Sequence, residues 1–335
     1  MHNRVQHARL STDSVPRSAG LACNRHDQDM DIPSELRKLA QGQDGIITRQ
    51  QAMESGLSKA AIRHALAENG PWKKIIPGVY ATFTGPLQQR HRVRAALLYA
   101  GDQAMVTGAY ACRAYGMQYV PRQSPDIIEL LVPANVRLAP IPIAKIRRVK
   151  SLPPARVLRD IPCAPPERAA LDACRDVESR QDIRAALCEV VQRQLTKVEH
   201  LLAEFGNVDR RGMAAARRAL DDVRAGCRSA PECELRDVIR TSMILDEPVW
   251  NEPLPDDNGL IPDGYYREVR LALEVDSVEH HGFGDRPELT EQRRARYAAL
   301  GWRVISISPR RIRQEPTAVL AEIEAAYLAD TSDAA

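Results

Sequence analysis

No stretch of about 18 apolar residues occurs in the 335-residue chain, so no transmembrane helix is expected. No apolar core follows the first basic residues, and no secretory signal is expected. The seven cysteines (Cys23, Cys112, Cys163, Cys174, Cys188, Cys227 and Cys233) are odd in number, scattered and never spaced C-x-x-C. Reduced thiols in a cytoplasm, with no zinc site, follow from that pattern. Neither a Walker loop nor a dinucleotide fingerprint is present, so no nucleotide cofactor is implied, and no haem is expected. Internal repeats are also missing.

What is there reads as an ordinary globular chain, 44% hydrophobic and 27% charged. Its length suits two or three domains. The net charge of +3 hides an asymmetry. Residues 231–335 hold 12 Lys+Arg against 21 Asp+Glu, and the remainder holds 35 against 23. A basic front points to nucleic acid. An acidic back is a poor match for DNA unless cations bind there.

Residues 1–29 are polar, mixed in charge and without periodicity, and read as a disordered extension. Residues 30–85 read as a domain of short helices. Ile32 to Leu39 is the first. Thr48 with Gln51 forms a capping-box start, Gly56 stops that helix, and Ser58 caps the next. In Lys59 to Glu68, Ile62, Ala65 and Leu66 point inward while Lys59 and Arg63 face out together. Trp72 to Tyr80 then places two β-prone runs around Pro77-Gly78, with Lys73 and Lys74 where a wing would approach phosphates. The order of helix, turn, helix and basic hairpin resembles the winged-helix N-terminal domain of AbiEi-type antitoxins. The resemblance covers about Ile32 to Thr84. It implies double-stranded DNA as a partner, contacted by Ser58, Lys59, Arg63, Lys73 and Lys74, and a toxin protein as a second candidate partner.

Residues 86–228 read as a mixed α/β connecting region. Helices are expected at Gln88–Tyr99, Thr107–Tyr115, Pro166–Arg175, Asp182–Gln194, Val198–Phe205 and Arg210–Val223, and strands at Ile127–Val132 and Ile141–Val149. Lys145, Arg147, Arg148 and Lys150 make the second strand basic, which suits a solvated sheet edge. Arg210, Arg211, Arg217, Arg218 and Arg224 make the last helix basic, as a connector facing DNA would be. No catalytic constellation is visible in this region.

The chemistry concentrates between Ile261 and His281. In Leu271 to Asp276, period-two alternation puts Leu271, Leu273 and Val275 on one face and Ala272, Glu274 and Asp276 on the other. A preceding strand at Ile261–Tyr265 would bring Asp263 beside Glu274. Carboxylates gathered there repel unless water or a cation compensates them, and such oxygen ligands suit Mg²⁺. Pro262-Asp263, Glu274-Val275-Asp276, His280-His281 and a returning strand at Gly301-Trp302-Arg303-Val304 resemble the PD-(D/E)XK nucleases, within them the Vsr endonuclease-like domains. The similarity runs from about Ser229 to Ile323, and the domain is expected to span residues 229–330, with a tail at 331–335.

That resemblance implies Asp263 and Glu274 as metal ligands, Glu232 as holder of a metal-bound water, and His280 or His281 as base. Asp276 stands at the superfamily's Lys position, where an acid can widen a metal site but not supply the positive charge. Ser277, Thr290 and Arg294 also depart from the relatives. The expected architecture is therefore α/β and α+β multidomain, with an N-terminal winged helix-turn-helix and a C-terminal restriction-endonuclease-like α/β core. Three functions stay open: a bacterial cytoplasmic DNA-binding regulator with an inactive nuclease fold, a Mg²⁺-dependent endonuclease delivered by the winged helix, and a toxin-binding module.

Overall fold

The computed structural model describes residues 32–121, 124, 126–276 and 286–331. The expectations for residues 1–29 and for Ser277, His280 and His281 lie outside the described residues. Among the described residues, thirteen helices and twelve strands in three sheets make a mixed α/β architecture. No helix of the described residues is long and apolar enough to cross a membrane.

The chain begins with α1 (Ser34–Gly42), β1 (Ile46–Thr48), α2 (Arg49–Glu54), α3 (Lys59–Ala65), β2 (Lys73–Ile76) and β3 (Val79–Ala81). The capping box forms reciprocally. Gln51 N–H donates to Thr48 Oγ1 at 3.0 Å, and Thr48 N–H donates to Gln51 Oε1 at 2.8 Å. Gly78, with φ +77°, turns β2 into β3. The strand β1 is absent from the sequence reading. It pairs antiparallel with β3 and makes the order β1-β3-β2. Leu36, Ile47, Ala52, Ile62, Ala65, Trp72 and Tyr80 form its core.

Next come α4 (Gln89–Ala100), β4 (Met105–Val106), α5 (Gly108–Ala114), β5 (Ile128–Pro133), β6 (Ala144–Val149), β7 (Arg156–Leu158), β8 (Ile161–Cys163), α6 (Pro166–Ala173), α7 (Arg180–Gln192), α8 (Val198–Asn207) and α9 (Ala214–Arg224). Their sheet has the order β6-β5-β4-β8-β7. The strand β6 is indeed an edge, but its cations have partners. Arg147 pairs with Glu129 at 2.8 Å, Lys145 with Asp176 at 3.0 Å, and Arg148 donates to the Val136 and Leu138 carbonyls. The helix expected from Arg210 starts four residues later, because Gly212 (φ +72°) and the Asp209 side chain, which accepts from Arg211 N–H, hold a turn.

The last elements are α10 (Ala230–Ile239), β9 (Val249–Trp250), β10 (Gly264–Tyr266), β11 (Leu271–Val275), α11 (Arg286–Ala299), β12 (Arg303–Ile307), α12 (Pro309–Gln314) and α13 (Pro316–Thr331). The sheet order is β12-β11-β10-β9, with β11 and β12 parallel and the other pairs antiparallel. One face buries Tyr266, Leu271, Leu273 and Ile307 in a core that also holds Leu235 of α10, Ile323 of α13, Leu187 of α7 and Ala219 of α9. The opposite face packs Tyr265 and Ala272 against Tyr297 and Trp302.

A buried ionic joint accompanies that shared core. Asp222 on α9 accepts from Arg184 of α7 at 3.0 Å and from Arg236 of α10 at 2.8 Å. Its side chain is 3% exposed. Removing one member of such a joint leaves buried guanidinium charge uncompensated. Asp222→Ala is expected to cost about 3–5 kcal/mol, read as a lowered urea midpoint at unchanged slope. A loss below about 1 kcal/mol would show that water replaces the carboxylate and that the joint is not structural.

Candidate functional site

The carboxylate cluster is built by the β10–β11 hairpin, the start of α10 and the face of α11. Gly264 pairs with Leu273. One register step further, Asp263 lies opposite Glu274, and Val275 N–H donates to Asp263 Oδ2 at 2.6 Å. The alternation of β11 sends Glu274 to the same face as Ala272, against α11, while Leu271 and Leu273 enter the main core.

Each expected acid has a distinct setting. Glu232 is buried near the start of α10, where Ser229 caps the helix and accepts from Glu232 N–H. Its Oε2 accepts from Arg228 N–H at 2.8 Å and from the Asn251 amide at 2.5 Å. That carboxylate therefore fastens the entry of α10 to the segment following β9. Asp263 is partly buried, and its pKa is pushed up to about 7. Burial is the main cause, the Glu232 and Glu274 charges add to it, and the Val275 N–H and Arg293 oppose it. Asp276 is exposed just past β11, with its backbone N–H on the Ile307 carbonyl at 3.0 Å. His280 lies outside the described residues.

Asn251, Arg293 and Tyr297 were not singled out from the sequence. Arg293 donates to Glu274 Oε1 through Nε at 3.0 Å and through a terminal nitrogen at 2.8 Å. The same nitrogen reaches the Ile261 carbonyl at 2.5 Å. The Tyr297 hydroxyl donates to Glu274 Oε1 at 2.5 Å, and the Arg293 guanidinium lies 5.6 Å from the Tyr297 ring centre. A spacing of four residues puts Arg293 and Tyr297 on one face of α11. That spacing is the signal a sequence reading had available.

Chemically, the cluster sets Asp263, whose pKa is pushed up, beside Glu274, which pairs with Arg293. Among the described residues, no group of three His, Cys, Asp or Glu side chains is set to hold a metal ion. Mg²⁺ keeps several waters in its shell and is commonly held by one or two carboxylates. Asp263 and Glu274 are the residues that would hold it, and the ion would supply charge neutralisation at a phosphate.

The DNA-facing set lies elsewhere. Ser58 Oγ accepts from Ala61 N–H at 3.1 Å and caps α3. Lys59 and Arg63 are exposed on α3, and Lys73 and Lys74 are exposed at the start of β2. None of these four cations forms an ion pair with the described residues.

No family model matches this chain, and no curated protein matches it. Among solved structures, the crystal structure of the RV2827C protein from Mycobacterium tuberculosis is similar with a TM-score of 0.40 and 18% identity, covering 56% of this chain and 75% of that one. A likeness at that level carries no argument about function.

The raised pKa of Asp263 makes a signed prediction. Between pH 4 and pH 7 the folded state holds a proton that the unfolded chain releases, so this group's penalty on stability grows as pH rises through that window and is complete above it. Asp263→Asn keeps the acceptor for Val275 N–H and removes the penalty. Its melting temperature relative to the native chain is expected to be several degrees higher at pH 8 than at pH 4. An equal difference at both pH values would show that Asp263 ionises normally.

Proposed function

We propose that this chain is a DNA-binding protein in which a winged helix-turn-helix of the AbiEi-antitoxin type grips duplex DNA. In this reading, residues 229–330 carry a Vsr-like nuclease fold. The observation that supports it most is the set of four cations, Lys59, Arg63, Lys73 and Lys74, on one helix and the adjoining hairpin, none with an ion-pair partner among the described residues. Cations left without protein partners favour phosphate contacts. Ser58 fixes the start of that helix, and the core of Leu36, Ile62 and Trp72 fixes its tilt. Regulation or defence in a bacterial cytoplasm is the context this reading suits.

The second reading is a Mg²⁺-dependent endonuclease. It is favoured by the approach of Asp263 to Glu274 and by the near-neutral pKa of Asp263. Against it stands the Arg293 guanidinium, which already balances Glu274.

One labelled mixed-sequence duplex tests both. The native chain is expected to bind it with a negative salt slope. Lys59→Ala with Arg63→Ala is expected to weaken binding about tenfold and make the slope shallower by about two. Unchanged affinity and slope in that variant would remove the winged-helix role. With Mg²⁺ or Mn²⁺ added, the first reading expects the duplex to stay intact. Cleavage that Glu274→Ala abolishes would instead establish the endonuclease.

A further inference from the structure

Two runs of basic residues lie outside the winged helix, and the structure separates them. On β6, Arg147, Lys145 and Arg148 are held by Glu129, Asp176 and backbone carbonyls. Around α9 the opposite holds. Arg210, Arg217 and Arg218 are exposed, and none forms an ion pair with the described residues. These three line a cleft with Phe205 and Met213. A second cleft adjoins it through Arg218 and Asp221 and continues to Arg180 and Arg240, which are likewise exposed and unpaired. The acids there do not cancel this charge. Asp222 is buried between Arg184 and Arg236, and Asp237 is held by Arg184. Asp221 alone remains an exposed, unpaired acid among the residues lining the two clefts.

We infer that this face of α9 is a second binding surface for a nucleic-acid backbone, separate from the winged helix. The inference rests on the DNA-binding reading above. Five guanidiniums without an ion-pair partner among the described residues, around one acid, make a strongly positive strip whose complement is a polyanion. Two of the five, Arg217 and Arg218, stand on α9, while Arg210 precedes it, Arg180 opens α7 and Arg240 follows α10, so the charge is spread over three helices. Cations spread over three helices suit a run of phosphates better than one small anion. Arginine also presents a planar fork that matches phosphate oxygens. The partly exposed Phe205 and the buried Met213 give the first cleft an apolar floor. The site stands on rigid support, because Ala216, Ala219, Leu220 and Val223 on the reverse face of α9 are buried in the main core.

The test is fluorescence anisotropy of the full chain on a labelled mixed-sequence duplex across a salt series. Arg210→Gln, Arg217→Gln and Arg218→Gln are combined in one variant and the corresponding Arg→Lys changes in another. All three positions are exposed, so both variants are expected to melt with the native chain. The glutamine variant is expected to raise Kd at least tenfold at about 100 mM salt and to make the salt slope shallower by two to three, with the lysine variant largely restoring both. Native affinity and slope in the glutamine variant, with Lys59→Ala/Arg63→Ala still weakened, would overturn this surface and leave the winged-helix reading standing. Failure of the native chain to bind the duplex at any salt would overturn that reading and this one together. Duplex binding unchanged in the glutamine variant while its binding to poly-glutamate is lost would assign the strip to an acidic protein instead.

Discussion

Asp222 is the point through which the larger part of this molecule is joined. Its carboxylate sits on α9 and receives one guanidinium from α7 and another from α10. Arg236 then reaches Glu247 at 2.7 Å, and Glu247 accepts from the Trp250 indole, also at 2.7 Å. Arg184 reaches Asp237 at 2.6 Å. A chain of charge-assisted bonds thus runs from the helical connecting region to β9 of the last sheet. Burial makes such a network directional as well as adhesive, since a misplaced partner would leave a charge stranded out of water. The apolar core continues through the same junction, from Leu187 and Ala219 to Leu235 and Leu271. The β10–β11 hairpin and its acids are therefore seated on a base fixed by α7, α9 and α10.

The same junction sorts the arginines by role. Those inside it are consumed by carboxylates, as are Arg147 and Lys145 of the β6 edge, where Arg148 is held by backbone carbonyls. The arginines on the outer face of α9 and the cations of α3 and β2 are not. Counting basic residues along the sequence cannot make that distinction, because pairing is a property of the fold. Lys145 and Asp176 are 31 residues apart in sequence, and Arg184 and Asp237 are 53 apart. Charge without a partner, rather than charge density, marks the surfaces where a polyanion would be held.

Local chemistry accounts for what was legible in the sequence. Thr48 with Gln51, Ser58 and the Pro-Gly turn at Gly78 each act over a few residues, and each appears where the sequence puts it. The alternation of Leu271 to Val275 gave the faces of β11, and the hairpin brought Asp263 to Glu274. Strands of two or three residues, such as β1, β4 and β9, carry too little periodicity to be read, and they exist because distant strands pair with them. Among the acids, Asp276 stands exposed just past β11 and supplies no positive charge to Glu274. The compensating charge comes from Arg293 on α11, and the packing of that helix on Ala272 is a tertiary fact. Glu232 shows the converse: an acid marked for chemistry whose carboxylate is engaged in holding a helix entry and Asn251.

In the proposed reading DNA lies on cations that have no ion-pair partner among the described residues, and the acid cluster is a charge-balanced scaffold. Cross-linking mass spectrometry of the full chain on duplex DNA tests that division most directly. The account predicts cross-linked peptides from α3 and β2 and from the outer face of α9, with none from the β10–β11 hairpin. Cross-links concentrated at Asp263 to Asp276, with α3 and β2 untouched, would contradict it and make the cleft the place where DNA is engaged.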